Sequence, residues 1–106
     1  MARILITVPP LTGHVNPALS VAAELERNGH EVRWAVHAVL TGALLPASAS
    51  ILDLPIETAF MAGLQEKSQK VRGLASVQFL YEDFCVPLAR RSLAPLEQVV
   101  RTFQPD

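Results

Sequence analysis

The chain has 106 residues, a length that supports one domain and buries only about two-thirds of the surface of the unfolded chain. Half of the residues are hydrophobic and 18% are charged, a balance typical of layered α/β domains whose strands are covered on both faces. Nine basic and ten acidic residues give a formal net charge of -1, which excludes the strong basic field that attracts nucleic acid or anionic membranes.

The first element is a β-branched and apolar run, Ile4–Val8, which predicts a buried parallel strand. Pro9 and Pro10 end this strand, because neither residue can donate to a ladder of backbone hydrogen bonds. The run is too short for a signal peptide or a membrane span. We therefore expect a cytoplasmic protein without a membrane-spanning segment.

A helix is predicted to follow, beginning at Asn16 and Pro17. Asn16 can cap free backbone amides, and a missing N–H costs nothing at the first helical position. Gly29 predicts the left-handed residue that ends the helix, and Glu31–Val36 predicts a second strand. A right-handed crossover then makes the two strands parallel. The core-facing helix positions recur at steps of three and four: Ala18, Val21, Ala22 and Leu25.

The middle of the chain gives weaker signals. Residues 37–45 predict a short helix, and Ile51–Leu54 predicts a brief third strand. Residues 60–73 show no firm period, which predicts a mobile loop with a helical turn and a solvated basic face.

Helical spacing returns near the end of the chain. Apolar residues recur at steps of three and four from Leu74 to Leu88 and again from Leu96 to Phe103, which predicts core-facing helix. Pro87 and Pro95 predict either a kink or a division into two helices. Cys85 cannot form an internal disulfide, and its apolar neighbours favour a core position over a reactive thiol.

These elements predict an α/β fold with a Rossmann-like parallel sheet and flanking helices. Ligands of such sheets bind beyond the carboxyl ends of the strands, which directs attention to residues 9–16. Pro9 and Pro10 occupy positions where a dinucleotide fold needs free amides, so NAD or FAD is not expected at this loop, and no Gly-Lys-Ser/Thr phosphate loop is present.

Gly13 and His14 are the candidate chemical residues of this segment. Glycine permits a tight backbone turn, and an imidazole can take a proton near neutral pH, as an attacking alcohol requires. The alternative is that His14 only hydrogen-bonds the loop, and a single histidine taken alone favours that alternative.

The surrounding sequence adds a resemblance. Gly13–Leu19, preceded by a strand and followed by Ala22–Leu25 and Asn28–Val32, resembles family 1 glycosyltransferases with the GT-B fold, above all the bacterial natural-product and macrolide-type members. The resemblance is specific over residues 1–36. Over the rest of the chain, including Phe103–Asp106, only the general sequence pattern is similar. It implies that residues 1–106 are an incomplete N-terminal acceptor-binding domain, and that the C-terminal nucleotide-sugar domain is absent from this sequence.

The resemblance also implies a mechanism. His14 matches the histidine that deprotonates the acceptor hydroxyl, which then displaces the nucleoside diphosphate with inversion and without a metal. The donor would be a UDP- or TDP-sugar acting as co-substrate, no separate cofactor is expected, and the acceptor would be a small hydrophobic natural product. Thr12 and Gly13, next to His14, are expected to contact substrate. The family's aspartate partner of this histidine has no counterpart here, because Asp106 precedes the strand that should carry it.

Three further residues are candidates for the acceptor site. His37 ends the second strand on the same sheet edge as His14, although a loop hydrogen bond explains it equally well. Phe60 and Met61 form a soft apolar patch suited to a hydrophobic acceptor, or to ordinary packing. His30 falls at the opposite end of the sheet, and the histidines and carboxylates have no spacing typical of a metal site.

Two other functions stay open. Lipid-linked N-acetylglucosaminyl transferases also carry Gly-His before a proline-containing helix, but they usually have a glycine-rich run where this chain has Pro9, Pro10, Leu11 and Thr12. A non-catalytic acceptor- or nucleotide-binding module is the second alternative. Neither the acceptor nor the oligomeric state follows from the sequence.

Overall fold

A computed structural model describes all residues from 1 to 106, and it shows three parallel strands in the order β1-β2-β3. Arg3 pairs with Glu31 at one end of the sheet, and Trp34 pairs with Ile51 in the second ladder. The predicted α/β, Rossmann-like architecture with its βαβ unit is confirmed. The strands are β1 (Arg3–Ile6), β2 (Glu31–Val36) and β3 (Ile51–Asp53).

Helices cover most of the remaining chain. A 3₁₀ turn at Gly42–Leu44 follows the second helix, and a π-helical segment at Phe79–Cys85 joins the last two helices. The predicted short helix after the second strand is confirmed. The helices are α1 (Thr12–Arg27), α2 (Ala38–Thr41), α3 (Thr58–Ser68), α4 (Leu74–Gln78) and α5 (Val86–Phe103).

Helix α1 begins one turn earlier than the sequence predicts. Its N-cap is Leu11, with φ -124° and ψ 125°, so Asn16 is not a cap and Pro17 lies inside the helix. The reason is burial: Val15 is 0% exposed and extends the apolar stripe of α1 backwards onto the sheet. That packing outweighs the backbone hydrogen bond that Pro17 cannot make.

The end of α1 follows the prediction. Gly29 has φ 86°, in the left-handed region that only glycine adopts without strain. The next residue turns the chain into β2, and the backbone N–H of Ala2 donates to His30 Nδ1 at 2.9 Å. His30 therefore lies at the amino end of the sheet, as predicted.

The prediction of a loop at residues 60–73 is wrong for most of its length. Residues Thr58–Ser68 form α3, whose half-buried side chains include Phe60, Met61 and Leu64. Lys67 Nζ lies 2.9 Å from Asp83 Oδ2, so the basic cluster partly pairs with the π-helical segment. Only three apolar residues face inward, which is too few for a visible period in the sequence.

The final helical run continues past both prolines. The π-helical segment ends just before Pro87, and a widened turn there accommodates a residue that has no N–H to donate. The predicted core position of the first part of this run is wrong: Leu74 is 89% exposed, and Val77 and Tyr81 are exposed too. The substantial contacts of α4 are with the π-helical segment that follows it and not with the strands, so this part of the run does not pack on the sheet.

The two faces of the sheet differ in packing. Because side chains alternate along a strand, Val32, Trp34 and Val36 of β2 point to the α1 side, where they join Val15 and Ala22 in the main core cluster. Trp34 is 2% exposed, which its packing in this cluster explains. Arg33, Ala35 and His37 therefore point to the opposite side, towards α5.

Helix α5 is joined to its side of the sheet at two points, at Ser92, whose hydroxyl meets His37 after β2, and at Phe103. Its buried residues are Leu88 and Phe103. At the second point, Arg3 donates from Nε to the carbonyl oxygen of Phe103 at 3.1 Å, and its guanidinium lies 4.4 Å from the Phe103 ring centre. Around the first point, in the first half of α5, the helix and the sheet leave an open cleft between them.

Candidate functional site

An apolar cleft of about 310 Å³ lies between α5 and the carboxyl end of the sheet. One wall is the segment that leaves β1, and the other is the inward face of α5 with the end of the π-helical segment. His37 and Leu54, which directly follow β2 and β3, close the inner side. The lining residues are Thr7, Val8, Pro9, Pro10, His37, Leu54, Phe84, Cys85, Leu88, Ala89, Ser92, Leu93 and Leu96.

His37 is the buried polar residue of this cleft, with 3% of its surface exposed. Its Nδ1 lies 2.7 Å from the carbonyl oxygen of Leu54, and its Nε2 lies 2.9 Å from the Ser92 hydroxyl oxygen. The Ser92 hydroxyl in turn donates to the Leu88 carbonyl oxygen at 2.7 Å. These contacts tie the ends of β2 and β3 to α5, so they fix the width of the cleft.

His14 lies in the first turn of α1 and its side chain is exposed. Its backbone N–H donates to the Leu11 carbonyl oxygen at 2.9 Å, which fixes the start of the helix. The segment from Pro9 to Pro10 connects the cleft wall to this turn, so His14 is at the cleft's edge of the sheet. The imidazole is not among the lining groups, and neither are Thr12 and Gly13.

Gly13 differs from its predicted role. It lies inside α1, and the only glycines with positive φ are Gly29 and Gly73. A Cβ atom added at Gly13 would meet no atom within 4 Å. The residue therefore neither forms a tight turn nor allows a close approach of another part of this chain.

Phe60 and Met61 lie on α3, outside the cleft. The guanidinium of Arg91 is 3.9 Å from the centre of the Phe60 ring, an arrangement that holds α3 against α5 through a cation–π contact. The side chains of Phe60 and Met61 are half-buried. The structure thus brings His37 into the cleft, and keeps Phe60 and Met61 behind its α5 wall.

Sequence reasoning missed most of the cleft. Ser92 has the clearest available signal, since Leu88, Ser92 and Leu96 recur at steps of four on one face of α5, and a single serine interrupts the apolar stripe. Cys85 is half-buried and lines the cleft, so it is not an ordinary core residue. The contributions of Leu54 and of the segment after β1 depend on tertiary packing and have no local signal.

The carboxylate groups of Asp53 and Asp106 do not line the cleft. Asp106 is at the amino end of β1, where its backbone N–H donates to the Arg3 carbonyl oxygen at 2.9 Å, so it is at the wrong end to orient His14. Asp53 accepts from the Ala38 backbone N–H at 2.9 Å and thereby caps α2. No three histidine, cysteine or carboxylate groups are arranged to hold a metal ion, and no helix is both long and apolar enough to cross a membrane.

Comparison with known proteins gives one short match. Over 33 residues the chain is 54% identical to 4'-demethylrebeccamycin synthase from Lentzea aerocolonigenes, and this stretch covers 31% of the chain and 8% of that relative. The match supports a relationship to glycosyltransferases over the aligned stretch. No family model matches the chain, and no solved structure matches it significantly.

Proposed function

We propose that this chain is the acceptor-side part of a glycosyltransferase that moves a sugar from a nucleoside diphosphate sugar to a hydroxyl of a small hydrophobic compound. The proposal includes the finer features implied by the resemblance: a family 1, GT-B enzyme of two domains, with residues 1–106 in its N-terminal domain. Inversion at the anomeric carbon, a UDP- or TDP-sugar donor, and independence of metals and cofactors belong to the same proposal.

The observation that carries the proposal is the joint position of His14 and the cleft. An exposed imidazole follows β1 at the carboxyl edge of a parallel sheet, and an apolar cleft lies at that same edge. An acceptor with an apolar body and a reactive hydroxyl needs both features. The short match to a glycosyltransferase supports the same reading independently.

The chemistry assigns one step to His14. A ring nitrogen of His14 takes the proton of the acceptor hydroxyl as the oxygen attacks the anomeric carbon, and the bonding electrons between the sugar and the diphosphate leave with the diphosphate. General-base assistance of this kind contributes about 10²–10⁴-fold to a rate. Thr12 and Gly13, in the same helical turn, would lie next to the bound hydroxyl.

His37 has a different part in this scheme. Both of its ring nitrogens are engaged inside the protein, by Leu54 and Ser92. It therefore shapes the acceptor site and does not move the proton. Phe60 and Met61 would act at a distance, by supporting α5 from behind.

The test is a transfer assay on the complete polypeptide that carries these residues, with a nucleoside diphosphate sugar and apolar acceptors that bear a hydroxyl group. We expect His14→Ala to lower kcat by at least 10²-fold while KM for the acceptor stays within a few-fold. His30→Ala is the matched control, because His30 lies at the opposite end of the sheet. Turnover of His14→Ala close to that of the unsubstituted enzyme would refute the assignment of His14 as the base, and the absence of any transfer by the unsubstituted enzyme would refute the proposed function.

The acceptor panel also separates the open alternatives. Transfer to polyprenyl-linked sugars, with none to phenolic or macrolide compounds, would favour a lipid-linked N-acetylglucosaminyl transferase. Binding of apolar acceptors without any transfer would favour a non-catalytic module.

A further inference from the structure

The cleft has a single polar pair on its inner side, formed by His37 and Ser92. Thr7, which follows β1, is an exposed residue of the opposite wall. Cys85 contributes a weakly polar thiol. The other lining side chains are apolar, so the Ser92 hydroxyl is the hydrogen-bonding group that a ligand meets on the inner side of the cleft.

The hydrogen on His37 Nδ1 is fixed by its partner. The Leu54 carbonyl oxygen can only accept a hydrogen bond, so Nδ1–H donates to it across 2.7 Å. Nε2 then faces Ser92 Oγ at 2.9 Å, as an acceptor in the neutral ring and as a donor in the protonated ring.

Ser92 has one hydroxyl hydrogen for its two neighbours. With the neutral ring, His37 Nε2 and the Leu88 carbonyl oxygen share that hydrogen. With the protonated ring, Nε2–H donates to Oγ and the serine hydrogen goes to Leu88. In both states no hydrogen of Ser92 is left for a ligand, and at least one lone pair of Oγ remains free.

We propose that the cleft binds a small apolar ring compound that carries a hydroxyl or N–H group, and that this group donates a hydrogen bond to Ser92 Oγ. The volume of about 310 Å³ is at the lower end of the range for small-molecule sites, which suits one or two rings. A compound that can only accept at this position faces a lone pair and is disfavoured.

This inference deepens the proposed function, and rests on it only for the ligand's role as sugar acceptor. The group that Ser92 recognises is distinct from the hydroxyl that reacts, since Ser92 lines the cleft and His14 does not. The proposed acceptor therefore carries at least two donor groups. Ser92 would select acceptors, while His14 would act on them.

The experiment compares two probes with the same ring system on the 106-residue chain, naphthol and the methoxynaphthalene of the same substitution. Affinity is measured by calorimetry, and the site by backbone amide shifts at Leu88 and Leu93 in NMR spectra. We expect naphthol to bind about 3–10-fold more tightly, the ratio that one net hydrogen bond provides. Equal affinity, or the absence of shifts at those amides, would overturn the proposal.

Two variants sharpen the comparison. Ser92→Ala is expected to remove the preference for naphthol, whereas Ser92→Thr keeps the hydroxyl and should retain it. A folded Ser92→Ala chain that still prefers naphthol would contradict the role of Ser92. If Ser92→Ala does not fold, the ratio of the affinities for the two probes on the unsubstituted chain decides whether the proposal holds. Binding of naphthol needs neither a sugar donor nor His14, so its failure is distinguishable from failure of the transfer assay.

Discussion

The Nε2 atom of His37 lies 2.9 Å from the hydroxyl oxygen of Ser92, across a sequence separation of 55 residues. This contact holds the carboxyl end of β2 against α5, on the side of the sheet where packing is incomplete. The same ring is bound to the Leu54 carbonyl oxygen after β3. One buried side chain thus joins three separate parts of the fold.

The first prediction concerns that side chain. His37→Ala is expected to lower the free energy of unfolding by about 2–4 kcal/mol, because it leaves the Leu54 carbonyl oxygen without its partner and opens a cavity. Urea denaturation followed by circular dichroism measures the effect. Val39→Ala, at a position 70% exposed, is the nearby control and should change stability by less than about 0.5 kcal/mol. Similar losses in the two variants would contradict the structural role of His37.

The second prediction tests where α1 begins. Pro17 is inside the helix, so Pro17→Ala restores an N–H that can donate to the Gly13 carbonyl oxygen, and removes the clash of the proline ring. We expect stabilisation of about 1–3 kcal/mol, measured by the same denaturation. A helix that began at Pro17 would gain nothing from this change, because the first helical N–H has no partner. A neutral or destabilising result would therefore favour the later start.

These positions show what the sequence could and could not predict. The end of α1 and the position of β2 could be predicted. Gly29 is a turn residue and the run Glu31–Val36 is typical of a strand, and tertiary packing does not override these local signals. The start of α1 does not follow from local signals, because the burial of Val15 depends on the sheet beneath it. His37 and Ser92 meet only after the βαβ unit and the last helix have assembled, so no period in the sequence links them.

The third prediction tests the exposure of the final helical run. Leu74 is 89% exposed and Leu88 is 6% exposed, although both belong to one apolar stripe in the sequence. Leu74→Ala should change the free energy of unfolding by less than about 0.5 kcal/mol, whereas Leu88→Ala should cost about 2–5 kcal/mol. A large loss at Leu74 would mean that this part of the run is packed in solution.

The fourth prediction compares two glycines whose Cβ positions are both open. Gly29 has φ 86°, so Gly29→Ala forces an alanine into the left-handed region and should cost about 1–2 kcal/mol. Gly63 is in the middle of α3 with no positive φ, so Gly63→Ala should stabilise the chain by about 0.5–1 kcal/mol through helix propensity. Thermal denaturation of both variants shows directly whether each substitution lowers or raises the stability of the chain. Destabilisation by Gly63→Ala would argue against a helix at Thr58–Ser68, because the open space around Gly63 leaves no steric reason for a loss.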